Sequence, residues 1–211
     1  MTSTAISAQG STLEIGTGSG SAKNITDVAA GYPTVITSTA HGLSNGDVVT
    51  IASVGGITGM NTNSYVISNV TTNTFAVEFD STGGTYTSGG TATPVTWTEV
   101  VNVKSFSGFD GEASEIDVTN LASTAKEFRL GLQDFGAFSF EWDIDLSDAG
   151  QDAVRAAQAS GSVKDFKLTL PNSDTATFQG LVKNATNMSG GVDQIVGGSV
   201  SVKITGEVTF A

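Results

Sequence analysis

The sequence predicts a mainly β protein: a β-sandwich or barrel-like domain with one flanking α-helix, carrying a second, smaller all-β domain. Three observations lead there. Glycine is abundant (26 residues) and proline scarce (3) in a chain rich in Ser and Thr, a composition of short strands and tight turns. Residues 138–146 and 199–209 alternate apolar and polar side chains with the two-residue period of a strand. A single stretch, 148–159, has helix signals: Asp148 with Gln151 three residues later fits a capping box, and Gly161 is a natural stop.

In chain order, residues 12–15 read as a strand, followed by the flexible run Gly16-Thr17-Gly18-Ser19-Gly20-Ser21. From about residue 29 to 93 the composition shifts to Gly, Thr, Ser, Asn and Val, with Asp47, Glu78 and Asp80 but neither Lys nor Arg. Strands are expected at 34–37, 47–53, 65–70 and 74–79, separated by Asn45-Gly46, Gly55-Gly56 and Gly83-Gly84 turns. Beyond Pro94 longer strands are expected at 97–106, 137–146, 163–170, 175–183 and 198–210. In the last, Val200, Val202, Ile204, Val208 and Phe210 share one face, opposite Ser201, Lys203, Thr205, Glu207 and Thr209. Residues 1–28 hold too few strands to stand alone. They are expected to rejoin the part beyond Pro94, giving a discontinuous domain (1–28 and 95–211) with an inserted domain at 29–94, whose core is modest at that size.

The net charge of −12 argues against ordinary nucleic-acid binding, which needs a basic footprint, though it is compatible with DNA passing close by. Charged residues are sparse, at 14% against about 25% in typical soluble domains, as suits a protein covered by copies of itself. With no cysteine, disulfides and Cys-ligated metal sites are excluded. The N-terminal residues lack the regions of a signal peptide, and no apolar run approaches membrane-spanning length, so no membrane insertion is expected and the product is expected in the cytoplasm when made.

Catalytic motifs are nearly absent. His41, the one histidine, sits in a His-Gly-Leu turn, where packing or capping is the expected role. Asp143, Asp145 and Asp148 do not continue into a calcium loop, because Asp148 and Val154 stand where Gly and Glu belong. Asp143 and Asp145 would project from one strand face about 7 Å apart, a spacing seen in glycosidases, but no aromatic sugar platform accompanies them. The Gly16–Gly20 run lacks the Lys-Ser/Thr ending of a phosphate loop. No enzyme activity, cofactor or metal is expected.

Residues 106–146 carry a resemblance. The loop Phe106-Ser107-Gly108-Phe109-Asp110-Gly111-Glu112 leads into Asp117-Val118-Thr119-Asn120, then Lys126-Glu127-Phe128, then Gly131-Leu132-Gln133-Asp134-Phe135-Gly136, then the alternating segment 138–146. This order resembles the major tail tube protein of long-tailed, non-contractile, lambda-type bacteriophages, most strongly from Trp97 onward. A second likeness lies in His41-Gly42-Leu43-Ser44-Asn45-Gly46-Asp47, residues 63–70 and Asn73-Thr74-Phe75. These are similar to the small β-barrel of the first catalytic-cysteine half-domain of ubiquitin-activating enzymes, in fold only, since no cysteine is present.

The tail tube resemblance implies a structural virion protein without enzymatic activity, polymerising as stacked homohexameric rings that conduct genome DNA without binding it. It implies a tape-measure protein, tail-tip proteins and a tail-terminator protein as further partners. If strand 138–146 lies in the inner sheet, Ser139, Glu141, Asp143 and Asp145 face the channel, joined by Lys203 and Glu207. The segment 106–136 is then the contact between subunits or rings, with Phe106, Phe109, Asp110, Glu112, Asp117, Phe128, Arg129 and Leu130 in it, and mobile until it docks. A cell-surface or carbohydrate-binding module of adhesin type is the alternative reading.

Overall fold

A computed structural model describes residues 5–211. In chain order its strands are β1 (Thr12–Ser19), β2 (Lys23–Asn24), β3 (Asp27–Ala29), β4 (Thr34–Thr37), β5 (Val48–Ala52), β6 (Ser64–Ser68), β7 (Thr74–Val77) and β8 (Thr91–Glu99). There follow β9 (Val103–Gly108), β10 (Ala113–Asp117), β11 (Phe128–Gln133), β12 (Ala137–Asp143), helix α1 (Ala149–Ser160), β13 (Lys164–Thr169), β14 (Thr175–Asn184), β15 (Gly197–Ile204) and β16 (Thr209–Phe210). The protein is mainly β with one α-helix among the described residues. It divides into two compact units: the chain up to Ile15 with Thr98–Phe210, and Gly16–Trp97.

The first unit is an antiparallel sheet in the order β1-β13-β14-β15-β12-β9, with β16 beside the start of β14. Alternation does the sorting. Phe138, Phe140 and Trp142 on β12, Phe166 and Leu168 on β13, Phe178 and Val182 on β14 and Val200, Val202 and Ile204 on β15 all point to one face and are buried. At about 1.5–3 kcal/mol per large apolar side chain, this face is the main stabilising surface of the unit. Phe166 stacks on Phe178 with ring centroids 5.5 Å apart, and Phe109 bridges Phe138 and Phe178 at 5.2 and 5.4 Å.

Helix α1 covers part of this face through Val154 and Ala157. Its ends are as the sequence predicts: Asp148 Oδ1 accepts from the Gln151 N–H at 2.7 Å, and Gly161 closes the helix in the left-handed region at φ 61°. The helix approaches the chain so closely that a Cβ on Gly150 would lie 1.9 Å from the Glu99 carbonyl oxygen.

Several expected strands are shorter or broken. The segment 97–106 is two strands, because Asn102 turns the chain at φ 60° and its carbonyl accepts from the Asp143 N–H. Strand β12 stops at Asp143, so of the apolar set expected in the core, Ile144 is only partly buried and Leu146 is 67% exposed. The chain must leave the sheet there to enter the capped helix. The segment 198–210 is interrupted after Ile204: β15 pairs with the second half of β14 and β16 with its start, so Phe210 is exposed rather than core.

The second unit orders its strands β3-β4-β7-β6-β5-β8, with β2 on β8. Its core is Ile36, Val49, Ile51, Ile67, Phe75 and Val77 with their neighbours. A closed barrel was expected for the inserted domain, but the strand order here is an open path among the described residues. Buried Thr34 donates to the Phe79 carbonyl at 2.6 Å and meets Ser81 Oγ at 2.7 Å. His41 is buried edge-on to Phe75, and its Nδ1 accepts from the Leu43 N–H at 3.0 Å, the packing and turn-closing arrangement its sequence context suggested.

Candidate functional site

With the apolar side chains of the first unit turned to the core, the opposite face is polar by necessity. Register pairs Glu141 with Ser199 and Ser105, Ser139 with Ser201 and Ser107, and Ala137 with Lys203. The face therefore presents Lys104, Ser105, Ser107, Ser139, Glu141, Asp143, Ser199, Ser201 and Lys203 across β9, β12 and β15. Glu14 and Lys167 continue it on β1 and β13.

Of the six residues expected to share this face, Ser139, Glu141, Asp143 and Lys203 do. Asp145 lies beyond the end of β12 and accepts from Ser147, Oγ–H at 2.6 Å and N–H at 2.8 Å, contacts that hold its carboxyl below the usual carboxylate range. Glu207 lies in the turn between β15 and β16. The face is not a plain acidic wall. Lys104 bonds Asp143 at 3.1 Å, Lys167 bonds Glu14 at 2.7 Å, and Lys203 bonds Asp134. Glu141 accepts from Ser105 Oγ at 3.2 Å and, among the described residues, has no cation within ion-pair distance. That last detail was invisible in the sequence, because lysine partners come from other strands.

Strands β10 and β11 form a separate two-stranded hairpin. Its base is fixed by Asp110, whose Oδ1 accepts from the Ala137 N–H at 2.9 Å, and by Asp134, bonded to Lys203. Lys203 first, then the Gly136 N–H, hold the Asp134 carboxyl below its ordinary value. Asp117 is lowered likewise by Thr119 first and by Lys126, which bonds it at 3.2 Å and lies over the Phe128 ring.

Among the expected contact residues, Asp110, Glu112, Asp117, Phe128, Arg129 and Leu130 belong to this hairpin and its base. Phe106 and Phe109 do not stand exposed: both pack against Phe138, in the unit's own core. The register places Phe128 and Leu130 beside Asp117 and Glu115 on one side, with Ile116 and Arg129 on the other. Leu130 is 76% and Leu132 90% exposed, so the hairpin has apolar surface that the rest of this chain does not cover.

A second surface escaped the sequence reading. Between β14 and β15, residues 185–197 leave Met188, Val192, Ile195 (72%) and Val196 exposed. Held by the Ser189–Gly197 bridge, this loop walls a groove of roughly 630 Å³ against Lys104, Glu141 and Asp143. Its apolar residues are too scattered for any periodic signal; only their number in a loop with three glycines hinted at it.

Among the described residues no group of three or more His, Asp or Glu side chains is placed to hold a metal ion. No helix is long and apolar enough to cross a membrane.

Comparison with known families gives two matches. Residues 81–175 match the model described as phage tail tube, TTP, lambda-like. Residues 29–96 match the ubiquitin-activating enzyme E1 FCCH domain. No curated protein sequence matches the chain. Among solved structures, the chain is similar to one from the tail of an empty GTA particle, refined helically with C6 symmetry: 16% identical, covering 55% of this chain and 86% of that one, with TM-score 0.46. A second, from the virion of a native gene transfer agent particle, is 14% identical over 55% of this chain and 88% of that one, also with TM-score 0.46.

Proposed function

We infer that the chain is a lambda-like phage tail tube protein, a structural and non-enzymatic component of the virion tail whose copies assemble into a tube. The family match over residues 81–175 carries this reading. It runs through β9, the hairpin, β12, α1 and β13, and so includes the exposed apolar hairpin and two of the three strands of the polar face. Nothing favours the adhesin-like alternative.

The finer picture we propose has six copies in each ring, rings stacked through the β10–β11 hairpin, and the polar face of β9, β12 and β15 turned to the bore. Strand β9 ends its sheet, so one row of its backbone groups is a template for a neighbouring subunit, and a ring closes such edges. DNA passing the polar face would meet Ser139, Ser201, neutralised Lys–Asp pairs and the uncompensated charge of Glu141. No free lysine there invites phosphate, and the net field is weakly repulsive. A tape-measure protein in the bore, tail-tip proteins and a tail terminator at the tube ends complete the partners. Residues 29–94 would project outward, since a domain of that size inside the bore would block DNA. Assembly in the host cytoplasm precedes incorporation into the virion.

Negative-stain imaging of the concentrated protein tests the reading. Tubes or stacked rings are expected; persistent monomers with affinity for glycans would overturn it in favour of a cell-surface module.

A further inference from the structure

Strand β9 has a slot along its free edge. A cavity of roughly 580 Å³ is lined on one side by Val103, Lys104, Ser105 and Phe106 and on the other by the chain from Ala8 to Leu13, with Leu168 completing it. Side chains of a strand alternate between faces, so a cavity touching four successive residues runs along the backbone edge. Strand β12 holds the other edge of β9, and the slot therefore meets the row of β9 backbone groups that no strand pairs. The start of β1 does not fill it. The Leu13 carbonyl accepts from the Val100 N–H at 2.8 Å, but just ahead of β1 the chain turns, with the Ser11 N–H donating to the Ala8 carbonyl at 3.2 Å and Gly10 at φ 89°. Ser11 Oγ is closed off from solvent and has no hydrogen-bond partner among the described residues.

Such a slot suits an extended polypeptide. Unpaired N–H and C=O groups at a strand edge are met by another strand. Phe106 adds apolar surface, and Lys104, the one charged lining residue, is already bonded to Asp143. The sequence ahead of the turn has the matching character. Thr2-Ser3-Thr4-Ala5-Ile6-Ser7 holds no charge, glycine or proline, and alternates β-branched Thr2, Thr4 and Ile6 with small Ser3, Ala5 and Ser7. Ile6 is 47% exposed. Counted back from Ala8 at the slot, seven extended residues reach about 23 Å, against about 13 Å for four residues of β9.

We propose that residues 2–7 are a strap that closes into this slot as an added strand on the free edge of β9. Ile6 then lies over Phe106 and Leu168, with Ala5 and Ser7 on the side of Ser105. The strap pairs with β9 rather than with β1, because the Leu13 carbonyl is already taken by Val100. It is a regulatory device: within one subunit it covers the edge that the tail tube reading offers to a neighbour. That regulatory role rests on the tail tube reading; the closing of the strap does not. A closed subunit cannot pair through β9, so release of the strap precedes assembly, and the indiscriminate pairing that an open edge invites is held off.

The absence of cysteine makes a direct test possible. In the dilute full-length chain, Ala5→Cys or Ser7→Cys is combined with Ser105→Cys and oxidised with diamide. At least one of the two pairs should close a disulfide within the monomer, whereas Ala5→Cys with Lys183→Cys, on β14, should not. Deleting residues 2–7 should speed hydrogen exchange at the outward amides of β9 in the free subunit about tenfold or more. It should also lower the concentration needed for assembly by about the same factor. Ile6→Asp should act like the deletion, and Ile6→Val should not. Unchanged exchange without an intrachain disulfide, or disulfides formed only between copies, would overturn the strap. Faster exchange with an unchanged assembly threshold would uphold the strap and remove β9 from the ring contact. If no variant and no condition gives tubes, the tail tube reading falls, while the disulfide and the exchange rates still decide the strap.

Discussion

Gln151 does more than its place in a capping box indicates. In a full box its side chain would return to the Asp148 N–H. Here Nε2 instead donates to the Val101 and Asp143 carbonyls, at 3.2 and 2.9 Å, and Oε1 accepts from the Asp145 N–H at 3.0 Å. One buried amide thus ties the helix start to the ends of β8 and β12. Gln151→Leu keeps the volume but leaves buried backbone groups unpaired, and should cost the first unit about 2–4 kcal/mol, read as a fall in its urea midpoint. Asp165 behaves oppositely. Burial raises its pKa, only partly offset by Gln179, whose Nε2 donates at 2.9 Å. Its folded pKa lies above the unfolded one, so the ionised form costs stability above the folded value. That cost fades as pH falls and is gone below the unfolded value. Asp165→Asn retains an acceptor for Gln179 and should raise the urea midpoint near neutral pH, with the difference from the parent vanishing at about pH 3.

At the scale of elements, the hairpin and β12 make separate predictions. The sequence pointed to a mobile segment at 106–136 that orders on docking, whereas the structure has a hairpin pinned at its base by Asp110 and Asp134. With Leu130 and Leu132 uncovered, its outer part should be cut by protease in the free subunit and protected in the tube. Equal protection in both states would show that it takes no part in assembly. On β12, the pair Glu141→Lys and Asp143→Lys adds cations to the face proposed for the bore. It breaks a partly exposed ion pair, worth about 1 kcal/mol or less, and the exposed Ser105–Glu141 hydrogen bond, so folding should survive. If the face lines the bore, such tubes should retain duplex DNA at low salt and release it as salt rises. Unchanged passage would place the face elsewhere.

For the whole molecule, the question is what the second unit contributes. Gly20 donates its N–H to the Pro94 carbonyl at 2.7 Å, so the chain enters and leaves side by side. Replacing residues 21–93 by a short Gly-Ser bridge should therefore leave the first unit folded and, if the insert is an outward decoration, still able to form tubes. A soluble, folded deletion variant that forms none would make the insert part of the assembly interface. This cut is cleaner than one at 29 and 94, because β2 pairs with β8 and β3 with β4 inside the second unit.

Much of this protein was legible in its residues because the relevant signals are local. Alternation in 138–143 and 199–204 decides which side chains are buried whatever the partner strand is, and Asp148 and Gly161 mark the helix ends through their own backbone geometry. The order of motifs from Phe106 to Gly136 pointed to the tail tube family without any coordinates. Pairing across the sheet decided the rest. Only the packing of β9 against β12 shows that Lys104 pairs with Asp143 while Glu141 meets Ser105. Tertiary packing alone draws Phe106 and Phe109 into the core and turns the chain at Asn102, Asp143 and Ile204, where the sequence pattern ran on. The 185–197 loop has no period to read, and its exposure is a property of what fails to cover it. Local pattern sets which face of a strand is apolar; the neighbours that meet each face, or leave it bare, are contributed by residues far away in the chain.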